Sequence, residues 1–308
     1  MLMTRTFSQR RIALLGVAGA ALVLCSFLAM PEGRAYAASL LLFFRGQVIS
    51  PVTTTSADLH SAYQTLEDLE KLGTLQGTVP ASLQTVADAS AARSVARFTF
   101  NLAQPTTLPN GFNKTASSAR ASAPTTVTLT LHAAQANAYF QSIGSSQKLP
   151  AQLEGEQIVV NFPGVTVLEY SNPAGGSVYV GQAGQLSVQI SGNATADQLR
   201  TYLLTLPGLS SSTVNSLKSI TNWQATIPLG IPTDKAGWKS YTVGGSFGGN
   251  GVILNDNTGI ASAILWQHTS PTATTAATSG TQSLGVGGKG LTADQVQAIA
   301  NSLQSPTP

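Results

Sequence analysis

The sequence predicts an α+β fold: a mainly antiparallel sheet with helices packed on one face, behind an N-terminal apolar signal or anchor helix. Three observations carry that expectation. From Thr125 onward, short segments alternate apolar and polar residues with the period of two that marks a half-buried strand. Segments with helical periodicity interrupt these strands singly, without the regular βαβ alternation of a parallel sheet. Finally, Ile12 to Met30 is a run of 19 residues without a charge.

That run follows Arg5, Arg10 and Arg11 and precedes Ala35-Tyr36-Ala37. A basic n-region, an apolar stretch and an A-x-A signal form a secretory signal, with Ala35 and Ala37 as the signal-peptidase recognition residues. The run also reaches the roughly 20 residues that span a bilayer, so an uncleaved anchor fits as well. Either alternative puts the rest of the chain in an extracytoplasmic location, secreted or on the outer face of the cytoplasmic membrane. Cys25, the one cysteine, lies inside the run, which leaves no disulfide framework for the exported part.

Charge narrows the function classes. The chain has 16 basic and 13 acidic residues, but Arg5, Arg10, Arg11, Arg34 and Glu32 belong to the targeting segment, leaving 12 of each sign. A nucleic-acid partner requires a positive footprint, and none is present. Only 9% of residues are charged while 43% are hydrophobic, so a packed core is expected and disorder is excluded.

Along the exported chain, Leu40 to Phe44 reads as a strand or the foot of the anchor. Ser56 caps a predicted helix through Leu72, and Ser82 a second from Leu83 to Arg93. Phe98 to Phe100 alternates as a strand into the proline-punctuated turn Pro105 to Phe112. Strands are expected at Val127/Leu129/Leu131, Ile158–Phe162, Val165–Tyr170, Val178/Val180 and Leu186/Val188/Ile190. Helices are expected over Ala133–Ile143, ending at Gly144, over Thr195–Leu206, and around Val214 and Leu217. Further strands follow near Tyr241–Val243, Val252–Leu254 and Ile260–Trp266, the last two joined by a hairpin at 255–259. Residues 269–283 lack charges and large apolar side chains and read as a flexible loop. Thr292 and Gln295 form a capping box for the closing helix, with Leu291 stapled to Val296. The expected organisation is 1–37 targeting segment, 38–94 helical segment, and 95–308 α+β domain.

Several motifs resemble active sites without the context those sites require. Gly244-Gly-Ser246-Phe-Gly248, followed by Asp256 and His268, imitates a nucleophile elbow, but glycines after the serine lead into a strand where the elbow needs a helix. Gly285 to Gly290 matches G-x-G-x-x-G with too little chain beyond it for a dinucleotide site. Asn255 to Asn257 lacks the closing acid of a calcium loop. His60, His132 and His268 stand alone in sequence, which argues against zinc. Glu154 and Glu156 read as a solvated strand edge, and Trp223, Trp238 and Trp266 as packing residues. No cofactor, metal or catalytic residue is expected, so the chain is read as non-enzymatic.

Pro105-Thr-Thr-Leu-Pro-Asn-Gly-Phe112, Leu149-Pro150 with Leu153-Glu-Gly155, Asp256-Asn-Thr-Gly259 through Gln267, and Leu291 to Gln295 with Ile299 to Leu303 resemble a bacterial extracytoplasmic domain family. That family, of unknown function, occurs on anti-sigma-factor-like membrane proteins and is distantly similar to periplasmic sensor and lipoprotein-carrier folds, so the resemblance implies that the mainly antiparallel sheet is a curved sheet with helices packed on one face. The resemblance implies a binding domain, sensing or regulatory, that contacts a membrane protein or an apolar ligand. The ligand surface is expected on the helix bearing Leu199, Tyr202, Leu203, Leu204 and Leu206. There Leu204 falls outside the roughly 100° apolar stripe and needs cover, either from the 207–217 segment or from a ligand. Eleven residues precede the apolar run, too few for a folded cytoplasmic module, so direct contact with a cytoplasmic sigma factor is not expected. The alternative function is a structural or adhesive envelope protein.

Overall fold

The structure is a computed structural model that describes residues 48–57, 69–78, 82–192, 196–205, 210–220, 226–256, 261–269 and 280–305. Its largest element is an eight-stranded antiparallel sheet. In spatial order the strands are β12 (Ala236–Val243), β13 (Gly249–Asp256), β14 (Ala261–Thr269), β15 (Thr281–Lys289), β9 (Ser177–Ala183), β8 (Val165–Ser171), β5 (Ser118–Ser122) and β3 (Gln84–Val86). A four-stranded antiparallel sheet follows the order β10 (Ser187–Ser191), β7 (Gln157–Phe162), β6 (Thr125–Leu131) and β2 (Gly73–Gly77).

The two sheets share their strands. The order β9-β8-β5-β3 at one end of the large sheet is repeated as β10-β7-β6-β2 in the small one, and each strand is followed or preceded in sequence by its counterpart. Four neighbouring strands therefore pass together from one sheet into the other. Residues that break a ladder sit at the corners: Ala123-Pro124, Pro163-Gly164 and Gly184-Gln185. Gly164 is required there, because a Cβ would lie 2.1 Å from the Ala96 carbonyl oxygen.

Alternation along the strands decides which side chains meet. Ile253, Ile264, Trp266, Leu284, Val286, Val178, Val180, Leu168 and Tyr170 point to one face. There α1 (Ala89–Val95) contributes Ala92, and α5 (Ala293–Asn301) contributes Val296, Ile299 and Ala300. Val252, Leu254 and Leu265 point the other way. They pack against Leu229 and Ile231 of a parallel strand pair, β1 (Val48–Thr54) with β11 (Thr226–Pro232). Helices thus cover one face and a second small sheet covers part of the other. The small sheet has its own core, where Phe140 of α2 (Ala133–Ser142) and Leu199 of α3 (Ala196–Leu203) meet Leu129, Leu131, Ile158 and Val160. Helix α4 (Ser211–Lys218) sets Leu217 against Val52 of β1.

The segment before residue 95 differs from the helical reading. Strands β1, β2 and β3 each join a different sheet, so no boundary falls at 94/95. The helix expected from Leu83 gives way to β3 and α1. Asp88 caps α1 by accepting from the Ala91 amide at 2.8 Å, and this side chain, not Ser82, sets the start. Leu69–Lys71 is a 3-10 turn, and most of the helix predicted before it lies outside the described residues, as do Leu40–Phe44 and the targeting segment. Phe98 and Phe100 form no strand; their rings stack at 4.3 Å. Strands β14 and β15 pair out to Thr269 and Thr281, so Thr269 and residues 281–283 of the expected loop are ladder, and 270–279 lie outside the described residues. The closing helix has the predicted capping box at Thr292 and Gln295.

Three of the segments quoted from the sequence meet in one core. Leu108 and Phe112 of the proline turn, Ile264 and Trp266 of β14, and Leu291, Val296, Ile299 and Leu303 of the C-terminal segment pack together. The turn is tied to the end of α5, where Thr106 donates its amide to the Ser302 carbonyl at 3.2 Å. The segment Leu149 to Leu153 lies in the other core, beside α2.

Candidate functional site

Strand β12 ends the large sheet. It pairs with β13 from Ala236↔Asp256 to Val243↔Gly249, and no described strand pairs with its other side. Its eight residues make it the longest strand at an end of any described sheet. Gly237 to Ser240 and Thr242 are exposed, and a Cβ at Gly237 would meet nothing within 4 Å. Trp238 is 38% exposed, one of two large apolar side chains so placed among the described residues. The strand contains no proline, so its backbone keeps every donor along the side that no described strand pairs, and that side can serve as a template for another strand. Tyr241 is held from the sheet's helical side, its hydroxyl accepting from Asn301 Nδ2 at 3.1 Å. Trp238 reads from sequence as a packing residue, but it stands on the last described strand of the sheet and is 38% exposed.

A second cluster joins residues that stand apart in sequence. His132 Nδ1 lies 3.4 Å from Glu154 Oε1, and His132 Nε2 lies 3.1 Å from Thr74 Oγ1. Carboxylate, imidazole and hydroxyl in series have the order of a nucleophile relay. The carboxylate has another task here. Glu154 Oε2 accepts from the Ala133 amide at the first turn of α2, where the His132 cap position supplies no side-chain hydrogen bond. That backbone hydrogen bond, ahead of the His132 contact, holds the Glu154 carboxyl below its ordinary pKa against a desolvation cost. We read the cluster as a clasp on the start of α2. Gln135 is spent similarly, donating to the Glu70 and Gly73 carbonyls at 2.6 and 3.1 Å.

A third cluster is buried. Gln182 Nε2 donates to Gln282 Oε1 at 2.6 Å and to the Asn101 carbonyl at 3.3 Å, while Gln182 Oε1 accepts from the Ala103 amide at 2.8 Å. These contacts fasten the 101–103 segment over the sheet.

The residues singled out from sequence are dispersed. Ala35, Ala37, His60, Trp223 and Leu206 lie outside the described residues. Leu199 and Tyr202 are core side chains, and burial drives the Tyr202 hydroxyl well above its ordinary pKa. Leu203 is the last residue of α3. Leu204 is partly buried against Val52, Leu217 and Ile220, so its cover comes from within the chain. Ser246 is exposed in the turn between β12 and β13. His268 Nδ1 comes to 3.0 Å from the Gly248 carbonyl beside that turn, but Asp256 closes the far end of β13, on the order of 20 Å away along the strand. Gly285, Gly287 and Gly288 lie within β15, and a Cβ at Gly288 would come 2.2 Å from the Ser177 carbonyl oxygen, so close strand approach accounts for that glycine. Glu154 is exposed, whereas Glu156 is 6% exposed, so the two carboxylates do not share an environment. Among the described residues, no three His, Cys, Asp or Glu side chains converge as a metal site, and no helix is long and apolar enough to cross a membrane.

No protein-family model, curated protein or solved structure matches this chain.

Proposed function

We propose that this chain is a non-enzymatic extracytoplasmic binding domain of the bacterial cell envelope, with a sensing or regulatory role, and that it contacts a protein partner by strand addition along β12. The observation that carries this reading is Trp238, exposed on an eight-residue end strand without proline. Main-chain hydrogen bonds along such an edge supply affinity, and alternate side chains supply specificity. Beside β12 the two faces of the sheet are packed by α5 and by the β1/β11 pair, while Gly237 to Ser240 and Thr242 on β12 itself stay exposed. The basic segment, the apolar run and the Ala35/Ala37 signal support export. A protein partner fits this reading better than an apolar ligand, since Leu204, on which the ligand surface depended, has neighbours from its own chain.

A photo-reactive amino acid at position 238 of the full-length chain, expressed in its native cells, tests the proposal. We expect a crosslinked protein species that a control at exposed Ser212 does not give, and that Ser240→Lys removes. Equal labelling from both positions, or none from position 238, overturns the strand-addition reading. Protease added to intact cells should digest the domain; protection overturns its extracytoplasmic placement.

A further inference from the structure

We infer that the partner along β12 is a second copy of this chain, joined antiparallel about a twofold axis at Ser240; this rests on the strand-addition reading. The argument begins with parity. A twofold axis perpendicular to the sheet makes the two β12 strands antiparallel and keeps the α5 face of both copies on the same side. Residues opposite one another across a seam must point to the same face, so the axis has to pass through a residue and not between two. Lys239 lies opposite Ile253 on β13, on the face covered by α5, and Tyr241 packs on that same face. Trp238 lies opposite Leu254, on the other face.

Two central registers compete. Centring on Lys239 places two ammonium groups directly opposite, which is unfavourable in a cross-strand pair. Centring on Ser240 places Lys239 across from Tyr241 of the other copy, where an ammonium can lie over an aromatic face. The same register places Trp238 across from Thr242, and the small Ser240 against itself. Every non-glycine residue from Trp238 to Thr242 then has a compatible partner supplied by the same sequence. Lys239, which opposes indiscriminate pairing at an open edge, selects this register over its neighbour. The exported chain carries 12 charges of each sign, so two copies have no net repulsion to overcome. Isologous pairing of this kind also closes on itself, because each copy spends its one β12 edge.

Cysteine crosslinking is a clean test, because Cys25 is the only native thiol. In the full-length chain carrying Cys25→Ser, Ser240→Cys should give a covalent dimer on mild oxidation, since directly opposite residues of an antiparallel pair lie about 4.5–5.5 Å apart at Cα, within disulfide range. Thr85→Cys, on β3 at the opposite end of the sheet, should stay monomeric under the same oxidation. In sedimentation velocity the wild-type exported protein should show a concentration-dependent dimer, and Ser240→Lys at that exposed position should shift it to monomer while leaving its circular dichroism unchanged. A wild-type protein that sediments as a monomer at every concentration overturns the second-copy inference, as does equal crosslinking at positions 85 and 240. If position 238 then crosslinks a different protein, strand addition stands and only the identity of the partner is lost. No crosslink of any kind from 238 removes both.

Discussion

Gln182 and Gln282 face each other across a 2.6 Å hydrogen bond, 2% and 3% exposed, on the same sheet face as the main hydrophobic core. Both side chains are buried, and Gln182 also satisfies the Ala103 amide and the Asn101 carbonyl. Gln182→Leu leaves those groups and Gln282 without that partner, at about 1–3 kcal/mol for a buried unsatisfied group. Urea unfolding should show that loss, and the double variant with Gln282→Leu should cost less than the sum of the singles. Additive costs would show that the two amides act independently.

Trp266 is fully buried, and its Nε1 donates to the Phe247 carbonyl at 2.7 Å. The indole anchors the β12–β13 turn to the sheet. Trp266→Ala should destabilise by about 3–5 kcal/mol. Trp266→Phe should cost less but free the turn, read as faster amide exchange at residues 244–248. Unchanged exchange there would count against the anchoring role.

Glu154 holds the first turn of α2. Its folded pKa is lowered, chiefly by the Ala133 amide and then by His132, so its contribution is present above the unfolded carboxylate pKa and is lost as pH falls through the folded value. Acid titration of stability should therefore show a decline below the ordinary carboxylate range that Glu154→Gln lacks. A variant with the wild-type acid profile would place the linkage elsewhere.

Burial raises the Tyr170 hydroxyl from 10.0 to about 12. The folded value lies above the unfolded one, so the stabilisation is complete below pH 10 and is lost as pH rises through about 12. Tyr170→Phe should flatten the alkaline limb of a stability-versus-pH curve, and an unaltered limb would assign it to another group.

Thr292 and Gln295 satisfy two amides at the start of α5, at 3.3 and 2.9 Å. Thr292→Ala should lower stability by about 1 kcal/mol in thermal unfolding, and Thr292→Ser should restore most of it. If serine restores nothing, the hydroxyl is not the stabilising group.

The sequence by itself determined those elements whose cause is local. Thr292 and Gln295 name the start of α5 because a capping box spans only four residues. Strands β6 to β9 are legible because alternation imposes its own period, and Gly248 to Gly251 excluded a helix after Ser246 by backbone preference alone. Local signals also misled where a stronger one lay nearby: Asp88 overrode Ser82, and the low-complexity texture of 281–283 concealed ladder partners on β14. Only the tertiary structure decided which elements meet. No spacing in the chain relates Glu154 to His132, 22 residues away, or Gln182 to Gln282, 100 residues away. No periodicity reveals that β10-β7-β6-β2 repeats the order of β9-β8-β5-β3, since strand neighbours are chosen by ladder pairing and corner geometry across the whole fold. Trp238 is the sharpest case. The sequence reads it only as a packing residue, because an end position exists only when the other strands have taken their places, and that position is what leaves it 38% exposed.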